Sequence, residues 1–157
     1  MISTLYIGLP IAMMVDLRNY AMVVPVGIVC LIWVNDTMAY ITGSFIGRTT
    51  FTDISPKKTI EGTVGGIVFT MIIGWVFGSY MQDYLLPIHW MVIAGIVAIA
   101  GTLGDLLESQ MKRKAGIKDS GNILPGHGGA LDRFDSLLAV LPFVYLYFHS
   151  FANPHLL

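Results

Sequence analysis

Long apolar stretches separated by short polar breaks leave this chain few ways to fold. Five such stretches are readable: Leu5 to Val15, Tyr20 to Ile46, Val64 to Leu86, Ile88 to Leu107 and Leu131 to Phe151. A membrane span needs about 20 apolar residues, so a chain of 157 residues accommodates one bundle of four or five spans. Composition agrees: 55% of residues are hydrophobic and 12% charged, and mean hydropathy is +0.71. An ordinary soluble domain carries about 25% charged residues. A soluble globular enzyme, a disordered tail and a nucleic-acid-binding module are thereby excluded. The expected fold is all-α, a polytopic integral membrane helix bundle of about five transmembrane helices forming a single domain over residues 1–157.

The first stretch is short for a span, and no cleavable signal pattern fits the start of the chain, so it is read as a span or a truncated one. Asp16-Leu17-Arg18-Asn19 reads as a short polar turn. The segment from Tyr84 to Trp90 contains Pro87 and aromatic residues, which suits a tight hairpin at a headgroup boundary. Two polar segments are longer, Arg48 to Thr63 and Glu108 to Ala130. Two spans lie between them, so both face the same compartment. With the start of the last helix they hold Arg48, Lys57, Lys58, Lys112, Arg113, Lys114, Lys118 and Arg133, leaving only Arg18 of the nine basic residues on the other side. Positive charge stays cytoplasmic, which makes both segments cytoplasmic.

Net charge is −1, so no global field recruits polyanions and any anion site is built locally. The single cysteine, Cys30, lies in an apolar run, which excludes an intrachain disulfide and the usual cysteine-based metal sites.

Acidic residues mark the candidate site, because a carboxylate at membrane depth is costly unless paired or coordinated. Asp105, Glu108 and Ser109 stand at i, i+3 and i+4, on one helix face. Asp132, Asp135 and Ser136 repeat that pattern on the next helix. The two helices are antiparallel, so both acidic faces lie at similar depth. They repel unless a cation sits between them, and hard oxygen ligands favour Mg²⁺, Mn²⁺ or Ca²⁺. The alternative is that each acid is solvated or paired with Arg113 or Arg133. Asp36 shares a face with Tyr40 and Gly43, and either reaches the metal or a substrate hydroxyl or bonds a neighbouring helix.

Ser55-Pro56-Lys57-Lys58 reads as a helix start, with serine at the N-cap and proline at the first helical position. Lysines there sit beside an anion, or else obey the positive-inside bias and touch lipid headgroups. Pro125-Gly126-His127-Gly128-Gly129 precedes the last helix. Its glycines let backbone approach a ligand and offer N–H groups to phosphate oxygens. His127 is a phosphate donor, a metal ligand or a proton carrier. Lys118, Asp119, Asp132 and Arg133 flank this turn.

Taken together, Ser109, Lys112-Arg113, Lys118-Asp119, Leu124-Pro125-Gly126-His127-Gly128-Gly129 and Asp132-Arg133-Phe134-Asp135 resemble the signature of the phosphatidate cytidylyltransferases, or CDP-diacylglycerol synthases. Ala130 stands where that family usually has a larger aliphatic residue. Asp36-Thr37-Met38-Ala39-Tyr40 with Gly43 and Gly47, Ser55 to Gly62, and Gly104 to Ser109 extend the likeness from about Val26 to the end of the last helix. It covers the C-terminal part of such proteins, which have additional N-terminal spans.

The resemblance implies a bacterial inner-membrane enzyme with its site facing the cytoplasm. It converts CTP and phosphatidate to CDP-diacylglycerol and pyrophosphate and requires Mg²⁺, with room for a second cation. The family's metal-binding aspartates fall on Asp105 and Asp132, and the family forms homodimers. Partners are then CTP, phosphatidate and membrane lipids, with no nucleic acid. A phosphate monoester is largely dianionic near pH 7, so charge neutralisation and in-line positioning matter more than general base catalysis. Asp105, Asp132, Lys112 and Arg133 are the catalytic candidates. Lys57, Lys58, Ser109, Arg113, Lys118, Asp119, His127, Gly128, Gly129 and Asp135 are the substrate-binding candidates.

Other readings are a CTP-dependent lipid kinase, which releases CDP, a CDP-archaeol-type synthase, and an inactive membrane fragment that keeps the motif. A transporter would place its acids near the bilayer midplane, whereas these cluster at one face.

Overall fold

The computed structural model describes residues 2–52, 55, 58–114, 116 and 131–152, with backbone alone at 2–4 and 131–133. Five α-helices follow one another: α1 Ile2–Tyr20, α2 Val23–Ile46, α3 Ile60–Tyr80, α4 Pro87–Lys114 and α5 Leu131–Tyr147, the last running into a π-helical turn, Phe148–Ala152. Among the described residues, four helices are long and apolar enough to cross a membrane: α2, α3, α4 and the segment Phe134–Ala152. The chain is an integral membrane protein with an all-helical bundle.

Helix boundaries differ from the sequence reading where polar groups find partners. Asp16 to Asn19 is helical, and α1 ends only at Tyr20. The Asp16 carboxylate is satisfied from α5 and the turn after it, since the Tyr145 hydroxyl donates to its Oδ2 at 3.1 Å and His149 Nε2 lies 3.1 Å away. Leu17 meanwhile enters the core. The chain reverses at Ala21-Met22, and Pro25 falls in the first turn of α2, where its missing N–H has no helical partner to lose. Trp90, in the first turn of α4, faces the protein interior. It is fully buried, edge-on to Phe77 with centroids 4.8 Å apart. Helix α4 runs seven residues past Leu107, to Lys114. At 1.5 Å per residue its 28 residues reach about 42 Å, beyond the ~30 Å hydrocarbon thickness.

Packing follows chain order. α2 lies on α3, α3 on α4 and α4 on α5, and α1 closes against α5 and α2. Lipid tails are as apolar as leucine, so these contacts rest on close van der Waals fit and on small residues that let backbones approach. Helix α3 shows this plainly. Its buried residues are Gly62, Gly66, Thr70, Gly74 and Gly78, a four-residue repeat that makes one side of the helix nearly bare backbone. A methyl built on Gly66 would lie 2.9 Å from Ala39 Cβ of α2, and one on Gly74 would lie 2.6 Å from Ala94 Cβ of α4. Gly95 has room, its nearest neighbour being Met71 Sδ at 3.7 Å.

Gly74→Val is therefore expected to force α3 from α4 and lower stability by about 1–3 kcal/mol, whereas Gly95→Ala leaves it within about 0.5 kcal/mol. Thermal unfolding of both variants in detergent checks this. A Gly74→Val protein as stable as the parent would rule out the α3–α4 contact.

Candidate active site

The chain reverses so that the C-terminal half of α2, the start of α3, the end of α4 and the start of α5 lie at one end of the bundle. Both polar segments of the sequence emerge there. A cavity of about 680 Å³ opens among these elements, lined by Asn35, Asp36, Ala39, Tyr40, Gly43, Ser44, Ser55, Lys58, Thr59, Thr63, Thr102, Asp105, Asp135 and Ser136.

Local sequence explains how each wall arrives. The helix start expected at Ser55 lies further along, at Ile60. Thr59 is the cap, its hydroxyl accepting from the Gly62 N–H at 3.1 Å. Lys58 therefore precedes the helix and does not sit in its first turn. Here it is part of a narrow loop: the Phe51 N–H donates to Lys58 O at 2.7 Å, the Ile60 N–H donates to Thr49 O at 3.0 Å, and Thr50 bridges Thr59. Glu61 fastens this loop from the first turn of α3. Its Oε2 accepts from the backbone N–H groups of Arg48 and Thr49, each at 3.2 Å, and its Oε1 from the Thr49 hydroxyl at 2.9 Å. Lys58 is so delivered into the cavity, where its ammonium pairs with the Asp105 carboxylate.

On the other side, α5 comes up against α4 because α4 offers glycine. A methyl on Gly104 would lie 2.5 Å from Ala139 Cβ and 3.3 Å from Asp135 O. Asp105, Asp135 and Ser136 consequently face one cavity, as the spacing of the two acidic faces anticipates. Asp135 Oδ1 also accepts from the Ser136 N–H at 2.6 Å. The Ser109 hydroxyl reaches Asp105 Oδ1 at 3.5 Å, the long limit of a hydrogen bond.

Other candidates lie elsewhere. Glu108 is buried and ion-paired with Lys112, one turn on, at 3.3 Å, and neither residue lines the cavity. Arg113 is exposed near the end of α4. Asp132 and Arg133 occupy the first turn of α5, with their side chains outside the described residues. Lys57, Lys118, Asp119, His127, Gly128 and Gly129 also lie outside the described residues. Among the described residues, no three His, Cys, Asp or Glu side chains form a cluster able to hold a metal ion. The structure adds residues that motif reading passes over: Asn35, Thr63 and Thr102 in the cavity wall, and Glu61 behind the loop. Asn35 carried one signal, a carboxamide in the middle of an apolar run.

Chemically the cavity combines three carboxylates, Asp36, Asp105 and Asp135, with the Lys58 ammonium and several hydroxyls. It suits a ligand that brings negative charge together with cations.

The sequence matches the model of the cytidylyltransferase family over residues 1–151. A phosphatidate cytidylyltransferase of Bacillus subtilis (strain 168) is 41% identical over 148 residues, covering 92% of this chain and 55% of its own length. One of Synechocystis is 46% identical over 116 residues, covering 74% of this chain and 40% of its own. One of Staphylococcus haemolyticus is 48% identical over 114 residues, 71% of this chain and 44% of its own. The chain thus spans about half the length of the curated relatives it matches.

Because three hydrogen bonds converge on Glu61, Glu61→Ala is expected to loosen the loop that carries Lys58. Hydrogen exchange at the Thr49 and Phe51 amides should accelerate at least tenfold, while amides in the middle of α4 keep their rates. Unchanged exchange at Thr49 would show that the carboxylate does not hold the loop.

Proposed function

The chain belongs to the cytidylyltransferase family, and on that premise we propose that it joins CTP to phosphatidate, giving CDP-diacylglycerol and pyrophosphate. The observation that carries this reading is the cavity in which Asp36, Lys58, Asp105 and Asp135 meet at one end of a membrane bundle. The relatives' names supply the substrates. By the positive-inside bias this end faces the cytoplasm, in bacteria at the inner membrane. CTP then arrives from water and the lipid headgroup from the bilayer surface. A homodimer, which the resemblance implies, belongs to the same proposal.

In the reaction a phosphate oxygen of phosphatidate forms a bond to the α-phosphorus of CTP, and the bond from that phosphorus to the bridging oxygen of pyrophosphate breaks. Both reactants are anions, and carboxylates line the cavity. Asp36, Asp105 and Asp135 give the cavity wall the hard oxygen donor type that a divalent cation takes, although among the described residues these three do not converge into a ready ligand cluster. Asp105 and Asp132 would hold Mg²⁺, with Asp36 and Asp135 available to a second cation. When bound, Mg²⁺ neutralises phosphate charge and stabilises attacking and leaving oxygens. Lys58 offers its ammonium to a phosphate oxygen while remaining tethered beside Asp105. Arg133 neutralises the triphosphate, and Lys57, Arg113 and Lys118 line its approach, with Lys112 held by Glu108 outside the cavity. Ser109 orients Asp105, and Asp119 helps position the nucleotide. His127, Gly128 and Gly129 offer N–H donors to phosphate.

The test is turnover by purified protein with labelled CTP, phosphatidate and Mg²⁺, scored for pyrophosphate and CDP-diacylglycerol. Release of CDP in place of pyrophosphate would indicate a kinase. Asp105→Asn should lower kcat at least a hundredfold with membrane insertion intact. Lys58→Ala should cut kcat/KM by about 10- to 100-fold, on the order of 1.4–2.8 kcal/mol of transition-state stabilisation. Full activity in Asp105→Asn would refute the metal role.

A further inference from the structure

The α1–α2 hairpin carries an apolar groove apart from the polar cavity. Its volume is about 520 Å³, within the range of small-ligand sites. Helix α1 supplies Ile11, Met14, Val15 and Arg18 to its walls, and helix α2 supplies Met22, Val26, Val29 and Trp33. Both sets follow helical spacing, so each is one face of its helix. The opposite face of α2 enters the core through Val24, Ile28 and Leu31. The groove therefore opens to the bilayer, and Val15, Val26 and Trp33 are exposed along it.

Length and charge restrict what fits. Helix α1 ends at Tyr20 and α2 starts at Val23, so Arg18 and Met22 lie at the bundle end away from the cavity. From Met22 to Trp33, α2 advances about 16 Å, against the ~15 Å that one leaflet contributes to the hydrocarbon core. The groove thus runs from the headgroup level to the bilayer middle and stops there. Trp33 lines its deep end, although tryptophan favours the membrane interface. Arg18 stands at its mouth, and it is the one basic residue of nine that the sequence places on that side. Asp16, two positions away, is taken by Tyr145 and His149. Among the described residues no carboxylate pairs with Arg18.

A packed helix is a poorer occupant. Helices meet in lipid through small residues, as α3 does with glycine, whereas no glycine or alanine lines this groove. An acyl chain conforms to walls of valine, isoleucine and methionine. A phosphate at its head meets a guanidinium whose N–H groups donate paired hydrogen bonds to phosphate oxygens.

We propose that the groove binds one anionic glycerophospholipid of the leaflet away from the cavity, its phosphate on Arg18 and one acyl chain lying along α1 and α2 as far as Trp33. This site is separate from the cavity at the other end of the bundle and takes no part in CTP chemistry. A lipid held there braces α1, the helix that closes the bundle, against α2.

Trp33 is the reporter for the test. The chain has three tryptophans, of which Trp90 is fully buried, and Trp75→Phe removes the remaining one. The full chain carrying Trp75→Phe, in nonionic detergent, is titrated with phosphatidylglycerol brominated near the ends of its acyl chains, and separately with phosphatidylcholine brominated alike. Quenching of tryptophan fluorescence should saturate. Phosphatidylglycerol should reach half-saturation at about fivefold lower content, the preference that one basic residue gives for an anionic lipid. Arg18→Gln should abolish that preference, and Val29→Phe, which fills the groove, should shift both curves to higher lipid. Quenching that climbs in proportion to bromolipid without saturating means bulk lipid only and overturns the proposal. So does equal half-saturation by the two lipids, which needs no groove variant to fold, and so does a phosphatidylglycerol preference that survives Arg18→Gln or binding unchanged in Val29→Phe. A Trp33 shielded from both lipids in a protein that sediments as a dimer overturns it in favour of a second copy on this face. None of these readouts requires turnover, so failure of the proposed reaction would leave the lipid site standing.

Discussion

The polar end of this bundle depends on how closely α3 approaches α2. Gly62 and Gly66 present backbone where other helices present side chains. A methyl on Gly62 would lie 2.7 Å from Ala39 O and 3.0 Å from Gly43 Cα. That contact sets Asp36 and Asn35 beside the start of α3, and it positions the loop that Thr59 and Glu61 anchor there. If the helices stood farther apart, Lys58 would not reach Asp105. The chemistry at the membrane surface is in this sense downstream of the absence of side chains.

Charge balance makes the same cavity receptive. Carboxylates drawn together at a helix-bundle mouth repel in a medium less polarisable than water. The Lys58–Asp105 pair relieves part of that, and it does so from a loop rather than from a neighbouring helix. A loop-borne lysine can shift its partner from carboxylate to phosphate with little rearrangement of the spans. The Glu108–Lys112 pair is different in kind. It joins two turns of one helix, Glu108 is buried, and it lies outside the cavity.

Much of this was legible in the sequence, for identifiable reasons. Apolar length gave the spans, and i, i+3, i+4 spacing correctly put Asp105 and Asp135 toward one space, because helical periodicity is a local property. Boundaries were harder. Asp16 to Asn19 looks like a break until Tyr145 and His149, more than a hundred residues away, are seen to satisfy Asp16. Ser55-Pro56 looks like a helix start, but Glu61 binds Arg48 and Thr49 across the loop, and Thr59 caps instead. Lys112 shares a motif with site residues yet pairs with Glu108, a choice that only packing decides. The Gly62-Gly66-Thr70-Gly74-Gly78 repeat was visible throughout and carries the α3 packing, though hydropathy alone does not single it out.

The two ends of the molecule are held by different kinds of contact. Away from the cavity, Trp90 fills the space between Gly27, Gly78 and Phe77, Phe148 stacks edge-on to Tyr20 at 4.9 Å, and the Tyr20 hydroxyl donates to Tyr84 O at 3.0 Å. His89 Nδ1 lies 2.9 Å from the Tyr147 hydroxyl, tying α4 to α5. Aromatic packing and hydrogen bonds thus clamp α1, α4, α5 and the α3–α4 turn together at the end away from the cavity. At the cavity end the helices are held by glycine contacts and by one loop. Regions that must open for a ligand are drawn from the weakly held part of a fold. A bundle clamped at one end can splay slightly at the other while its helix order persists. For a site proposed to admit a water-soluble nucleotide and a bilayer lipid, that division of contacts matters as much as the identity of the carboxylates.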